Sequence, residues 1–128
     1  MDFLVDTHTL LWSALERNRL STKALRILSD PTIEVAVSAA SAWEIATKVR
    51  IGKLPQAVLL ESDFERIIAD AGYSLLSIST EVALRAGRLP GAHKDPFDRM
   101  IAAQALALDI PVLSADPHLD NFSVRRIW

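Results

Sequence analysis

Four carboxylates stand at separated points of the chain: Asp6 in FLVDTH, Glu44 in SAASAWEIATK, Asp98 in KDPFDRMIAAQA and Asp116 in VLSADPHLDNF. Each falls where a strand is expected to hand over to a helix. An acidic side chain beside an apolar core is costly to desolvate, and a divalent cation is the usual compensation. The chain has no cysteine and three histidines, so the donors are hard oxygens, which prefer Mg²⁺ or Mn²⁺ to zinc or copper. A pocket of this kind holds one or two ions, binds a phosphodiester and ionises a water for in-line attack.

Each acid also has an ordinary role to set beside the catalytic one. Asp6 could simply cap the first helix, although Thr7 beside it is itself a suitable cap. Glu44 has Lys48 four residues on, a helix-surface pair worth roughly 0.2–0.5 kcal/mol. Asp116 precedes Pro117 and suits a turn. Asp95, directly before Pro96, has the pattern of an N-cap followed by proline at the first helical position, which puts Asp98 third in the helix, at its positive end. This favours Asp98 as the metal ligand and Asp95 as a cap with an outer contact; the reverse assignment stays open.

The elements that must position these acids follow from local pattern. Residues 2–6, 34–38, 73–78 and 111–115 read as strands, and the alternating tail 123–128 as a fifth strand at an edge. Between them lie helices that begin at Thr7, Ser21 and about Ala40, the last stopping at Gly52. Ser62 with Glu65 has the capping-box spacing for a further helix. A short helix through Val82 and Ala86 and a long apolar one from Asp95-Pro96 complete the series. Strands alternating with helices argue for a parallel sheet covered on both faces. Right-handed crossovers then bring the carboxyl ends of the strands to one rim, where ligands bind at the switch in strand order. Asp6 and Asp116 belong to that rim, and the helices bearing Glu44 and Asp98 leave it.

Composition limits the alternatives. At 128 residues, half of them apolar, the chain is sized for a single domain spanning 1–128 with a substantial core. The formal charge of −2 argues against bulk attraction to nucleic acid. Two local basic runs, Lys48, Arg50 and Lys53 and then Arg85, Arg88, Lys94 and Arg99, flank Glu44 and Asp98. They are solvated helix faces or, for Lys48, Arg50, Lys94 and Arg99, a phosphate-contacting rim. His8, His93 and His118 lie near the acids but read as surface residues. No G-x-S-x-G elbow or glycine-rich phosphate loop occurs. The lack of cysteine and of a leader or membrane-length apolar run fits a soluble cytoplasmic protein that needs no membrane.

Taken together, LVDTH, SAASAWEIATKVRIGKL, HKDPFDRMIAAQA and LSADPHLDNF resemble, in order and over nearly the whole chain, the PIN-domain toxins of the VapC type. The resemblance implies a three-layer α/β/α fold with a central parallel five-stranded sheet. It further implies Mg²⁺- or Mn²⁺-dependent endoribonuclease activity and a role as the toxin of a type II toxin–antitoxin pair. Family acids carry over onto Asp6, Glu44, Asp98 and Asp116, and Ser114 falls where relatives often place a hydroxyl that steadies the site. Asp95 is less secure, since many relatives do not depend on an acid there. The resemblance also implies an RNA substrate, a homodimer and a VapB-type antitoxin. Leu11, Trp12 and Trp43 are candidates for contact with a partner helix, although core packing explains them better.

Two readings from other classes compete. A receiver-type signalling module would need a phosphoacceptor after the third strand and a lysine after the fifth; here the third ends ISTEV and the fifth ends the sequence. A catalytically silent PIN-like module that binds antitoxin or nucleic acid would not need all four acids.

Overall fold

The computed structural model describes residues 1–128. Five short strands form one sheet: β1 (Phe3–Val5), β2 (Val35–Ser38), β3 (Ser74–Leu76), β4 (Val112–Leu113) and β5 (Arg126–Ile127). Every pairing is parallel and the spatial order is β3-β2-β1-β4-β5. The order reverses between β1 and β4, so the two strands that precede Asp6 and Asp116 lie side by side. The expected edge position of the tail strand is met by β5.

Period-two alternation sorts the strand residues onto two faces. Val5, Val35, Val37 and Leu113 pack on one side with Leu10 and Leu11 of α1 (Thr7–Leu15), Ala24 and Leu28 of α2 (Thr22–Ser29) and Ile45 of α3 (Ala39–Arg50). Leu60 of α4 (Val58–Ser62) and Ile68 of α5 (Phe64–Asp70) close the same layer. Leu4, Ala36 and Val112 face the other way, onto Ile101, Ala102 and Ala105 of α7 (Pro96–Leu108) and onto Leu119 and Phe122 of a 3₁₀ segment, Pro117–Phe122. A further helix, α6 (Thr80–Arg88), packs along α7. The result is the three-layer α/β/α arrangement with a central parallel sheet. No helix is long and apolar enough to cross a membrane.

Several local expectations hold. Ser21 caps α2 by accepting the Ala24 amide, and Asp95 caps α7 by accepting the amides of Phe97 and Asp98. After α3 the chain turns at Gly52 with φ of 81°, a left-handed backbone that favours glycine.

Two expectations need correction. Thr7 does not cap α1: the extended residue at the end of β1 is Asp6, whose carboxylate accepts the Thr9 amide, while Thr7 is already helical. Nor do Ser62 and Glu65 form a capping box. Ser62 ends α4, an element the pattern did not suggest, and its hydroxyl donates back to the Leu59 carbonyl. Asp63 then precedes α5 without a side-chain cap.

Candidate active site

The reversal in strand order builds the first half of the site. Asp6 leaves β1 and Ser114 follows β4, and the Ser114 hydroxyl donates to the Asp6 carboxylate at 2.5 Å. The same hydroxyl oxygen accepts the Asp116 amide at 3.0 Å, so one buried serine fixes both acids to the sheet rim. The second Asp6 oxygen takes the Thr9 amide at 2.9 Å, and the Thr9 hydroxyl donates to the Leu113 carbonyl, locking α1 to β4. Thr7 is not idle: its hydroxyl pairs with that of Ser41 at 3.0 Å and joins the start of α1 to the first turn of α3. Asp6 is 3 % exposed and Ser114 wholly buried. These partners aim the Asp6 carboxylate and fix the backbone of Asp116 before any ligand arrives.

Asp98 forms the second half under different conditions. It projects from the first turn of α7, largely buried, and takes one side-chain hydrogen bond, from His93 at 2.8 Å. Burial raises its carboxyl above the ordinary carboxylate range; the His93 bond opposes this, while the charges of Asp95 and Asp116 push the same way as burial. Asp98 is therefore a carboxylate close to other carboxylates and short of positive charge. Asp116 binds the backbone and ring nitrogens of His118, each at 2.9 Å. The two imidazoles stack, with centroids 5.5 Å apart and planes 4° apart, so Asp98 and Asp116 are bridged by a pair of histidines.

Glu44 is buried on α3, and its hydrogen-bonding partner is Lys48. The i,i+4 pair expected of a solvated face exists, but its acid is inside and the lysine covers it. Among the other basic residues, Arg50 and Lys94 are exposed. Arg99 is spent differently from a substrate-facing role. Its guanidinium donates to the carbonyls of Ala86, Leu89 and His93 and lies 5.5 Å from the Phe122 ring centroid. It holds the loop that delivers His93 to Asp98.

The four acids thus form a sequence of neighbours and not a closed cage. Asp6 and Asp116 line one cavity, Asp98 lies within electrostatic reach of Asp116, and Glu44 is occupied by Lys48. No three His, Asp or Glu side chains converge tightly enough to enclose a metal ion by themselves. The donor chemistry still fits Mg²⁺ or Mn²⁺, because Mg²⁺ commonly takes one or two carboxylates and completes its shell with water and substrate phosphate. Asp98, Asp116 and Asp6 are the residues that would hold it.

Two parts of this arrangement escaped the sequence. His8 and His118 lie at the surface as expected and His93 is partly buried, but His93 and His118 are also hydrogen-bonded to candidate ligands; their closeness in sequence to Asp98 and Asp116 was the available signal. Trp43 is 59 % exposed and packs edge-on to Phe97 at 4.7 Å, so core packing explains Leu11, which is buried, but not Trp43.

Comparison with known proteins agrees with the fold. The structure of VapBC2 from Rickettsia felis, solved with a DNA fragment from its promoter, contains a chain that superposes with a TM-score of 0.73 at 13 % identity, over 99 % of this chain and 98 % of that one. A chain of FitAB, solved on an IR36 DNA fragment, superposes with a TM-score of 0.64 at 20 % identity, over 98 % of this chain and 93 % of the other. At these identities the likeness is one of fold. No curated protein matched in sequence. The PIN domain profile matches residues 3–124, nearly the whole described fold and every acid of the site, and the chain belongs to the PIN domain family.

Proposed function

We propose that this PIN domain is a metal-dependent endoribonuclease, the VapC-type toxin of a type II toxin–antitoxin pair. The observation that carries the reading is the juxtaposition at the strand-order reversal: a preset pair, Asp6 and Asp116 on Ser114, beside the desolvated and mutually repelled Asp98. Family membership supports nuclease chemistry, since PIN domains are generally nucleases.

When bound, Mg²⁺ or Mn²⁺ would polarise the phosphodiester and supply an ionised water for in-line attack. The residues of the chain hold the geometry. Ser114 and the Thr9 amide keep Asp6 from rotating, and the bonds from His118 fix Asp116. His93, carried by the Arg99-braced loop, orients Asp98. Lys48 neutralises Glu44, which would hold a cation only with that lysine turned away. Arg50 and Lys94 are exposed and would be free to meet the RNA backbone, and cleavage of this class would leave 5′-phosphate and 3′-hydroxyl ends.

The same reading supplies partners. Both structural neighbours, VapBC2 and FitAB, are solved on DNA, which supports an antitoxin partner for this chain; a VapB-type antitoxin, a homodimeric toxin and action in the cytoplasm are part of the same proposal. The competing reading is a catalytically silent module that binds antitoxin or nucleic acid.

The test is cleavage of total RNA with Mg²⁺ or Mn²⁺, with chelator, and with Asp98→Asn. The expected result is cleavage that needs both the metal and Asp98. Cleavage that survives chelator and the substitution, or its absence from the intact chain with either metal, would count against the proposal.

A further inference from the structure

Beside Asp6 and Asp116 lies a cavity of about 330 Å³ whose remaining walls are His8, Trp12, Arg19 and Ala115. Its floor is acidic and belongs to the site already described. Its wall does not. Trp12 is half-buried and held from behind by Trp128, edge to face at 5.7 Å. The Arg19 guanidinium lies 4.6 Å from the Trp12 ring centroid, and the exposed His8 ring tilts toward the same indole at 6.2 Å. Arg19 is more than half exposed and meets one carboxylate, Glu16, at 3.6 Å.

Resting on the nuclease reading above, we propose that this cavity is a subsite for one unpaired nucleotide adjoining the scissile phosphate of single-stranded RNA. The indole is the stacking surface, and Arg19 with His8 takes the flanking phosphate. The volume sits at the small end of ligand pockets and suits a single base with part of its sugar. Stacking on a protein ring requires a base that is not already paired, which restricts the substrate to loops, bulges and single strands. A base stacks on an indole or on a guanidinium, so Arg19 over Trp12 prepares the surface instead of blocking it. The acidic floor repels phosphate, which turns the backbone toward Arg19 and leaves the uncharged base nearest Trp12. A cationic peptide side chain is the other candidate occupant. It suits the acidic floor but meets Arg19 already stacked on the only indole in the cavity, and like charge opposes it.

Fluorescence anisotropy of labelled octa-adenylate and of an abasic ribose-phosphate octamer, both in chelator, tests the subsite without chemistry. The intact chain is expected to bind octa-adenylate about tenfold more tightly than the abasic octamer. Trp12→Leu should reduce that ratio to below about twofold, and Trp12→Phe should restore most of it. Should Trp12→Leu fail to fold by circular dichroism, the exposed Arg19 provides the second test: Arg19→Met should weaken octa-adenylate binding at least threefold and flatten its salt dependence. Equal affinity for the two octamers, binding of neither, a base preference that survives Trp12→Leu, or no effect of Arg19→Met would overturn the proposal. So would Trp12-dependent quenching by an arginine-containing peptide with none by either octamer, which assigns the cavity to a polypeptide. The two readings fail separately. Base discrimination without Mn²⁺-dependent cleavage keeps the subsite and loses the nuclease, whereas cleavage without discrimination does the opposite.

Discussion

Asp6 and Asp98 are both withdrawn from solvent, yet they are supported in opposite ways. Asp6 has a donor on each oxygen, from Ser114 and from the Thr9 amide, and both donors come from elements that the sheet itself holds in place. Asp98 has one donor, His93, on a loop braced by a single arginine, and two negative neighbours. Folding therefore completes one half of the site and leaves the other short of charge. A buried carboxylate that its own protein does not satisfy is stabilised most by an added cation, and it is destabilising until one arrives.

The sharpest way to break this contrast is to neutralise Asp98. Asp98→Asn is expected to lower RNA cleavage by about 100-fold or more, since loss even of a residue one shell out typically costs about 10–100-fold. The same change should raise the melting temperature of the metal-free protein at neutral pH. The direction follows from linkage: Asp98 holds its proton to higher pH folded than unfolded, so the protonated group favours folding. That contribution is full below the ordinary carboxylate range and is lost as pH rises through the raised value. At neutral pH the ionised group is a net cost, which asparagine removes, and the gain should shrink as the pH falls into that range. Thermal scans from neutral to acidic pH check it; an Asp98→Asn protein less stable than its parent at neutral pH would remove the contrast.

Ser114→Ala should act in the opposite sense on stability. It deletes the buried donor to Asp6 and the acceptor of the Asp116 amide, so a loss of about 2 kcal/mol is expected, with cleavage reduced about tenfold or more. Denaturant unfolding and initial cleavage rates measure the two effects. The pair Ser114→Ala and Asp98→Asn thus separates a half that folding completes from a half that it strains.

How much of this could be read from the sequence depends on whether local rules or tertiary neighbours decide it. The existence and order of the strands and the Asp95-Pro96 helix start were legible because alternation, proline and the cap are local, whereas the strands proved shorter than their apolar runs. The choice between Asp6 and Thr7, both weighed as caps, was not legible, because it turns on which of two adjacent polar residues keeps the extended backbone of β1. Ser62 and Glu65 had capping-box spacing, but α4 runs through Ser62 and turns its hydroxyl back on Leu59. The His93–His118 stack and the Trp12–Trp128 contact join segments far apart in sequence, and only the completed sheet brings them together. Arg99 looked like a rim charge because no local pattern announces that one α6 carbonyl and two loop carbonyls will surround it.

That loop supplies a third, smaller test. Arg99→Met removes the bonds to Ala86, Leu89 and His93 and is expected to destabilise the fold by about 2 kcal/mol. It should also lower cleavage through a displaced His93, with amide exchange rising over residues 89–95. Unchanged exchange there would show that the loop is held by other means. The smallest effect is expected from His118→Ala. His118 is 70 % exposed, so stability should move by less than about 0.5 kcal/mol, while cleavage falls about tenfold through a freed Asp116.

The central claim is that Asp98 marks the place where a divalent cation completes the site. Calorimetric titration of Mn²⁺ into the intact chain and into Asp98→Asn addresses it without reference to substrate or antitoxin. Saturable binding to the intact chain that is lost or weakened at least tenfold in Asp98→Asn is the predicted result. No binding to the intact chain, or equal binding to both proteins, would contradict it.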